Sequence, residues 1–319
     1  MSQTDASPRR PRLTQALRLA VRVAPPLLLV AAGWVLWREF HGLSLAAVSA
    51  AMAGWGPRAI AMALLLSALS FLLMGAIEWV GLRWTGARPP LAATQVGSFL
   101  ANAIAHALGA NLLVSGAIRA RFYERYGVSL TQVAGTTLFA GVAFGVGLGA
   151  LSGAGLLLAS SADLAHTAIP PTVARILGGV LMAGAFAYVG LCAIGRQPVA
   201  VFGRAIVLPS FGDAIAQLVL GVFDNAIAAA ILWILLPAGG PSYLTFIGAY
   251  AVACIAGLAS SIPGGAGVFE SAMAALLPGI DAAALAAAFL GYRLVFYILP
   301  LIIAFAALGA ETLRRSRGG

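Results

Sequence analysis

The chain has no lysine. All 19 of its basic residues are arginine, set against 10 acidic ones, and charged residues make up only 9% of 319. With 61% hydrophobic residues and a mean hydropathy of +0.97, this excludes a soluble globular domain. There are two cysteines, Cys192 and Cys254, both in apolar runs. They read as packing residues with no disulfide between them. No Walker loop is present, so ATP hydrolysis is not encoded here. No cluster of His, Cys, Asp and Glu has metal-ligand spacing, and neither a metal nor another cofactor is expected. Alternating ten-residue strands are missing too, which excludes an outer-membrane barrel. The arginines are scattered over the ends of apolar runs, a poor pattern for binding nucleic acid.

What the chain does have is long apolar runs. Several exceed the ~20 residues that cross ~30 Å of hydrocarbon as a helix. The fold class is all-α: a polytopic helical membrane protein with about eight membrane-embedded segments. Ordinary spans are expected over 20–38, 58–82, 131–158, 173–195, 212–236 and 284–309. The first run carries Pro25 and Pro26 without a small-x-small cleavage site and reads as a retained anchor. Residues 41–56 suit a short interfacial helix, with Trp55 at headgroup level. Residues 1–17 read as a disordered cytoplasmic tail, 18–312 as a single transmembrane domain and 313–319 as a second cytoplasmic tail.

Two apolar regions are less ordinary, 93–114 and 242–280. Arg83 and Arg88 precede the first, and Arg119, Arg121 and Arg125 follow it. If both flanks lie in the cytoplasm, as arginine on each favours, 93–114 enters and leaves on one side as a re-entrant hairpin. The loops at 159–172 and 237–242 carry no arginine and should be external; 196–211 carries Arg196 and Arg204 and should be internal. Region 242–280 must then begin and end outside. One solution is a second hairpin from the outer face with its tip near Pro263–Gly267. The other makes both regions full crossings. Arginines at both ends of the chain put both termini in the cytoplasm.

The segment Ser261-Ile-Pro-Gly-Gly-Ala-Gly-Val-Phe-Glu270 is the best candidate for a working site. Pro263, Gly264, Gly265 and Gly267 break any helix, and Glu270 follows at once. Irregular backbone and a carboxylate are tolerated at membrane depth only where protein or a water-filled cavity surrounds them. Glycine-exposed N–H groups at a helix start suit phosphate, although the same glycines also suit close helix packing. Arg293, in an apolar run, is the natural partner for Glu270, and their pair suits either a headgroup site or a structural lock. Arg119, Arg121, Tyr123 and Arg125 crowd one loop, where arginine forks fit phosphodiesters and an ordinary positive-inside loop fits equally. Asn102, His106 and Asn111, with Asp224 and Asn225 in a later span, could line a polar path or satisfy local backbone. Glu78 and Arg83 lie near a span end, within reach of the interface by snorkelling. A Ser/His dyad from Ser260 or Ser261 with His106 gains no support from spacing.

Taken in order, Ser98-Phe-Leu-Ala-Asn102, Gly116-Ala-Ile-Arg-Ala-Arg-Phe-Tyr-Glu-Arg-Tyr-Gly127, Ile262-Pro-Gly-Gly-Ala-Gly-Val-Phe-Glu270 and Tyr292-Arg293 with Pro300 resemble a known family. It is the lysylphosphatidylglycerol synthase transmembrane-region family: the flippase domain of the multiple peptide resistance factor and its stand-alone, YbhN-like inner-membrane relatives. Val207-Leu-Pro-Ser210 followed by Gln217 is similar to the stand-alone branch. The resemblance spans about 60–310. It implies a bacterial inner-membrane carrier of anionic or aminoacylated phospholipid, which in long members supports antimicrobial peptide resistance. It also implies headgroup contacts at Arg119, Arg121, Tyr123, Arg125, Glu270 and Arg293. The chain ends soon after its last span, so the synthase domain is expected to be absent and a transferase label doubtful. Any aminoacyl lipid would then come from a separate synthase. Two other readings stay open: a non-transporting partner of a lipid or envelope enzyme, and a proton-coupled transporter of a small solute. Gly141, Gly145 and Gly149 leave a homodimer open.

Overall fold

The computed structural model describes residues 45–108, 111–195, 199–201, 204–206, 208–237, 239–260 and 267–317. The expected span 20–38, the glycine break at Pro263, Gly264 and Gly265, and the proposed N-terminal tail lie outside the described residues.

Apart from turns, short loops and one small ribbon, the described residues are helical. They form α1 (Leu45–Ala53), α2 (Pro57–Trp84), α3 (Leu91–Leu108), α4 (Asn111–Tyr123), α5 (Leu130–Leu158), α6 (Ser161–Leu164), α7 (Pro171–Ile194), α8 (Phe211–Trp233), α9 (Tyr243–Ala259), α10 (Val268–Leu276), α11 (Ala282–Arg293) and α12 (Leu299–Arg317). Five stretches are long and apolar enough to cross a membrane: α2, α5, α7, α8 and the run Ala282–Ala310 through α11 and α12. They coincide with the spans expected from 58 onwards. The internal loop expected at 196–211 instead contains a two-stranded antiparallel ribbon, β1 (Val199–Val201) and β2 (Arg204–Ile206), with Ala200 opposite Ala205. Its valines and isoleucine favour extended backbone.

Helix starts follow local chemistry. Pro57 opens α2 where no N–H is needed. Ser129 caps α5 in a reciprocal box with Gln132, and the side chains of Ser210 and Asp281 cap α8 and α11.

α5 is the central helix, packed on α2, α7, α8 and α9. Its closest approach is to α8. A Cβ on Gly147 would sit 2.2 Å from the carbonyl carbon of Gly221, so only glycine lets these backbones meet. α2 and α7 run antiparallel to α5, since Gly81 of α2 lies on Thr136 and Phe139 and Gly178 of α7 lies on Gly153 and Leu156. α8 runs parallel to it, with Gln217 bonded to Phe139 and Asn225 to Phe144.

These contacts define two faces. Face one holds the end of α2 and the start of α5, where Gln132 Nε2 donates to the Thr85 carbonyl at 3.1 Å. Face two holds the end of α5 and the start of α7, where the Arg175 guanidinium donates to the Leu157 carbonyl.

The two unusual regions are helical hairpins on opposite faces. In the first, Tyr123 at the end of α4 meets Thr94 and Gly97 near the start of α3, so the two legs are antiparallel and open onto face one. From Thr94 to His106 the hairpin penetrates ~18 Å at about 1.5 Å per residue. His106 reaches Phe71, the middle of α2, with ring centroids 6.1 Å apart. In the second, Leu244 at the start of α9 lies beside Gly155, and Leu276 at the end of α10 accepts from Ala168 N at 3.0 Å. Both outer ends are therefore on face two. This geometry fits the two-hairpin solution and not the two full crossings.

α11 and α12 are joined by one π turn, Leu294–Ile298. Leu299 N bonds to the Leu294 carbonyl, one residue further back than in an α-helix. The next position is Pro300, which has no N–H to offer Val295. Ser67 Oγ of α2 fills that gap, donating to the Val295 carbonyl at 3.0 Å.

Candidate functional site

Glu270 sits in the first turn of α10, directly after Gly267. Gly267 has φ +81°, a conformation that favours glycine, and its N–H donates to Glu270 Oε2 at 2.8 Å. The other carboxylate oxygen takes Arg293 Nε at 2.9 Å and a second guanidinium nitrogen at 2.5 Å. The pair joins the inner end of hairpin two to the last residue of α11, and both side chains are largely buried. Arg293 lies ~17 Å along its span from Ala282, close to mid-membrane depth.

Aromatic rings surround this pair. The guanidinium of Arg293 stands 5.6 Å from the Tyr297 ring centroid. Tyr250 and Tyr292 share a hydrogen bond at 3.1 Å, and Phe269 packs on both. His106, near the inner end of hairpin one, lies 5.6 Å from Phe296 and 5.9 Å from Tyr297. The two hairpins thus converge on the π turn. The His106 Nδ1 atom is buried there without a hydrogen-bond partner.

The arginine-rich loop divides into two parts. Arg119 and Tyr123 point inward, 2% and 0% exposed. Arg119 Nε donates to Glu78 Oε2 at 2.9 Å, and Tyr123 Oη donates to Glu78 Oε1 at 2.6 Å. A further Arg119 nitrogen lies 3.5 Å from Asn102 Oδ1, whose own amide donates to Ser98. Glu78 is wholly buried, so the interfacial placement suggested by its position near a span end is corrected. The packing of hairpin one on α2 buries it. Arg121 and Arg125 are exposed: Arg121 pairs with Glu124 at 3.0 Å, and Arg125 lies over the Phe122 ring at 4.1 Å. Asn111 is the first residue of α4.

Asp224 and Asn225 belong to the α8 packing layer, and among the described residues their hydrogen bonds run to α2, α5 and α8 itself, not to the hairpins. Ser70 Oγ of α2 donates to Asp224 Oδ1, and Asn225 Nδ2 donates to Phe144 O at 3.1 Å and Gly221 O at 2.8 Å. Among the described residues, no group of three or more His, Cys, Asp and Glu could hold a metal ion.

Sequence reasoning misses Glu78 as the hub of hairpin one, and it misses Ser67, Ser70 and the ring cluster. The available signal was a carboxylate inside a 28-residue apolar helix, which demands a partner. That partner stands 41 residues away in sequence.

Residues 19–304 match the lysylphosphatidylglycerol synthase TM region family. The chain belongs to that family. It is 29% identical over 283 residues to the uncharacterized protein slr0712 of Synechocystis, covering 88% of this chain and 87% of that one. It is 36% identical over 143 residues to the inner membrane protein YbhN of Escherichia coli, covering 44% of each chain. Membership of this family and five membrane-length helices establish a multi-pass membrane protein.

Proposed function

We propose that the protein moves phospholipid between the leaflets of the bacterial inner membrane, taking anionic or aminoacylated headgroups of the phosphatidylglycerol type. The supporting observation is the convergence of two hairpins from opposite faces on one mid-depth ion pair, Glu270–Arg293. A headgroup entering from either face has a path of about half the membrane, bounded by a hairpin, to a point offering both signs of charge. Guanidinium suits the phosphate, and carboxylate suits an aminoacyl ammonium. The acyl tails stay in lipid. Exposed Arg121 and Arg125 collect anionic headgroups at face one, which the positive-inside rule makes cytoplasmic along with both termini. Arg119 and Tyr123 serve this reading indirectly, by anchoring hairpin one to α2.

A second reading, a non-transporting partner of an envelope enzyme, draws support from the burial of both ion pairs, which suits a structural lock. Reconstitution separates the two. Purified protein in vesicles carrying fluorescent phosphatidylglycerol, its lysyl form or phosphatidylcholine is followed by quenching from outside. The proposed function predicts movement faster than in protein-free vesicles, with phosphatidylglycerol types preferred. A folded protein that moves none of the three favours the partner reading.

A further inference from the structure

The described residues include three buried or largely buried carboxylates in the membrane-length layer. Two hold a guanidinium within 3 Å: Glu78 with Arg119 at 2.8 Å and Glu270 with Arg293 at 2.5 Å. The third, Asp224, is 6% exposed, and its one hydrogen bond comes from the neutral Ser70 hydroxyl. Among the described residues, no guanidinium is paired with it. α5 contains no ionisable residue. On α2, Glu78 is committed to Arg119 and Tyr123. On α7, Tyr188 bonds to Gln217, two helical turns from Asp224, and to the neighbouring Cys192, while Arg175 reaches the Leu157 carbonyl at face two. On α9, Tyr243 bonds to the Ala226 carbonyl, while Tyr250 bonds to Tyr292 and faces Cys254. On α11, Arg293 is held by Glu270. Beside Asp224, the buried Asn225 Oδ1 has no donor.

An ionised carboxylate without a countercharge is costly at this depth, and one proton removes the cost. We infer that Asp224 is an intramembrane proton-binding site whose occupancy biases the Glu270–Arg293 pair. The step balances simply: the carboxylate takes one proton from water and becomes a neutral acid, and releasing that proton to water restores the charge. The Ser70 hydroxyl can donate to the first form and accept from the second. The mechanical link is short. Ser67 lies one turn from Ser70 on α2 and holds the Val295 carbonyl, two residues beyond Arg293. A change in how α2 sits on α8 therefore reaches the π turn directly. The coupling part of this inference rests on the proposed lipid movement; the proton site itself does not.

Two measurements on the full chain test it. Infrared difference spectra of the purified protein across a pH titration should show a protonated-carboxyl band that is lost in Asp224→Asn and shifted in Ser70→Ala. An unchanged band in a folded Asp224→Asn overturns the site. In vesicles, a gradient of about one pH unit is worth up to about tenfold per proton. Wild type should move lipid several-fold faster with that gradient than without it, and Asp224→Asn should move lipid at one rate in both. Wild-type movement that ignores the gradient overturns the coupling. If wild type moves no lipid while the band still disappears in Asp224→Asn, the proton site stands and the lipid function falls.

Discussion

Glu78 illustrates what a single residue contributes. It is wholly buried and carries three functions at once: ion pair to Arg119, acceptor for Tyr123, and lock between α2 and hairpin one. Breaking a buried pair leaves an uncompensated charge, so Arg119→Ala should cost about 3–5 kcal/mol. Thermal unfolding of purified protein in detergent reads this out. Arg121→Ala, two residues away and paired only at the surface, should unfold like wild type. In the sequence the two arginines look alike. Nothing local distinguishes the one that faces α2, because the difference is made by a carboxylate from another helix. Glu270 and Arg293 are more legible, since each is a lone charge in an apolar run and each needs a partner there.

At the level of elements, the π turn depends on Pro300 and Ser67. Ser67→Ala leaves the Val295 carbonyl without a donor, at a cost of about 1–2 kcal/mol. Pro300→Ala restores an N–H that can serve that carbonyl. The Ser67→Ala penalty should therefore shrink in the Pro300→Ala background, a non-additivity that a double-mutant cycle in the same unfolding assay detects. Helix approach offers a second test. Gly147→Ala drives a Cβ into the backbone of Gly221 and should cost about 1–3 kcal/mol. Gly145→Ala, with nothing within 4 Å of the added atom, should be neutral. The hairpins were half legible: charge counting and clustered Asn, His and Gly act locally and point to them, but two full crossings satisfy the same parity. The π turn was not, although Pro300 sits in a recognisable motif. Proline predicts a disturbance without saying which neighbouring helix will repair it.

At the largest scale, the described residues form a set of membrane-length helices with one hairpin inserted from each face. Topology follows from parity. In a cysteine-free background, Arg88→Cys and Thr131→Cys should react with impermeant maleimide from one side of sealed vesicles, and Ala162→Cys and Ala282→Cys from the other. Labelling of Thr131→Cys and Ala162→Cys from the same side would refute the arrangement. Composition alone makes this an all-α membrane protein, and arginine placement orders its loops. What the sequence leaves hidden is depth: that both hairpins reach one level, where α2, the π turn and Arg293 meet.

The central claim is that lipid headgroups pass at the Glu270–Arg293 pair. The most direct test is headgroup-resolved lipid movement in vesicles by Glu270→Gln, with folding confirmed by unfolding temperature and gel filtration. The account predicts a folded variant whose rate falls by about tenfold or more, equivalent to at least about 1.4 kcal/mol in the barrier. A folded Glu270→Gln protein that moves phosphatidylglycerol as fast as wild type would contradict it.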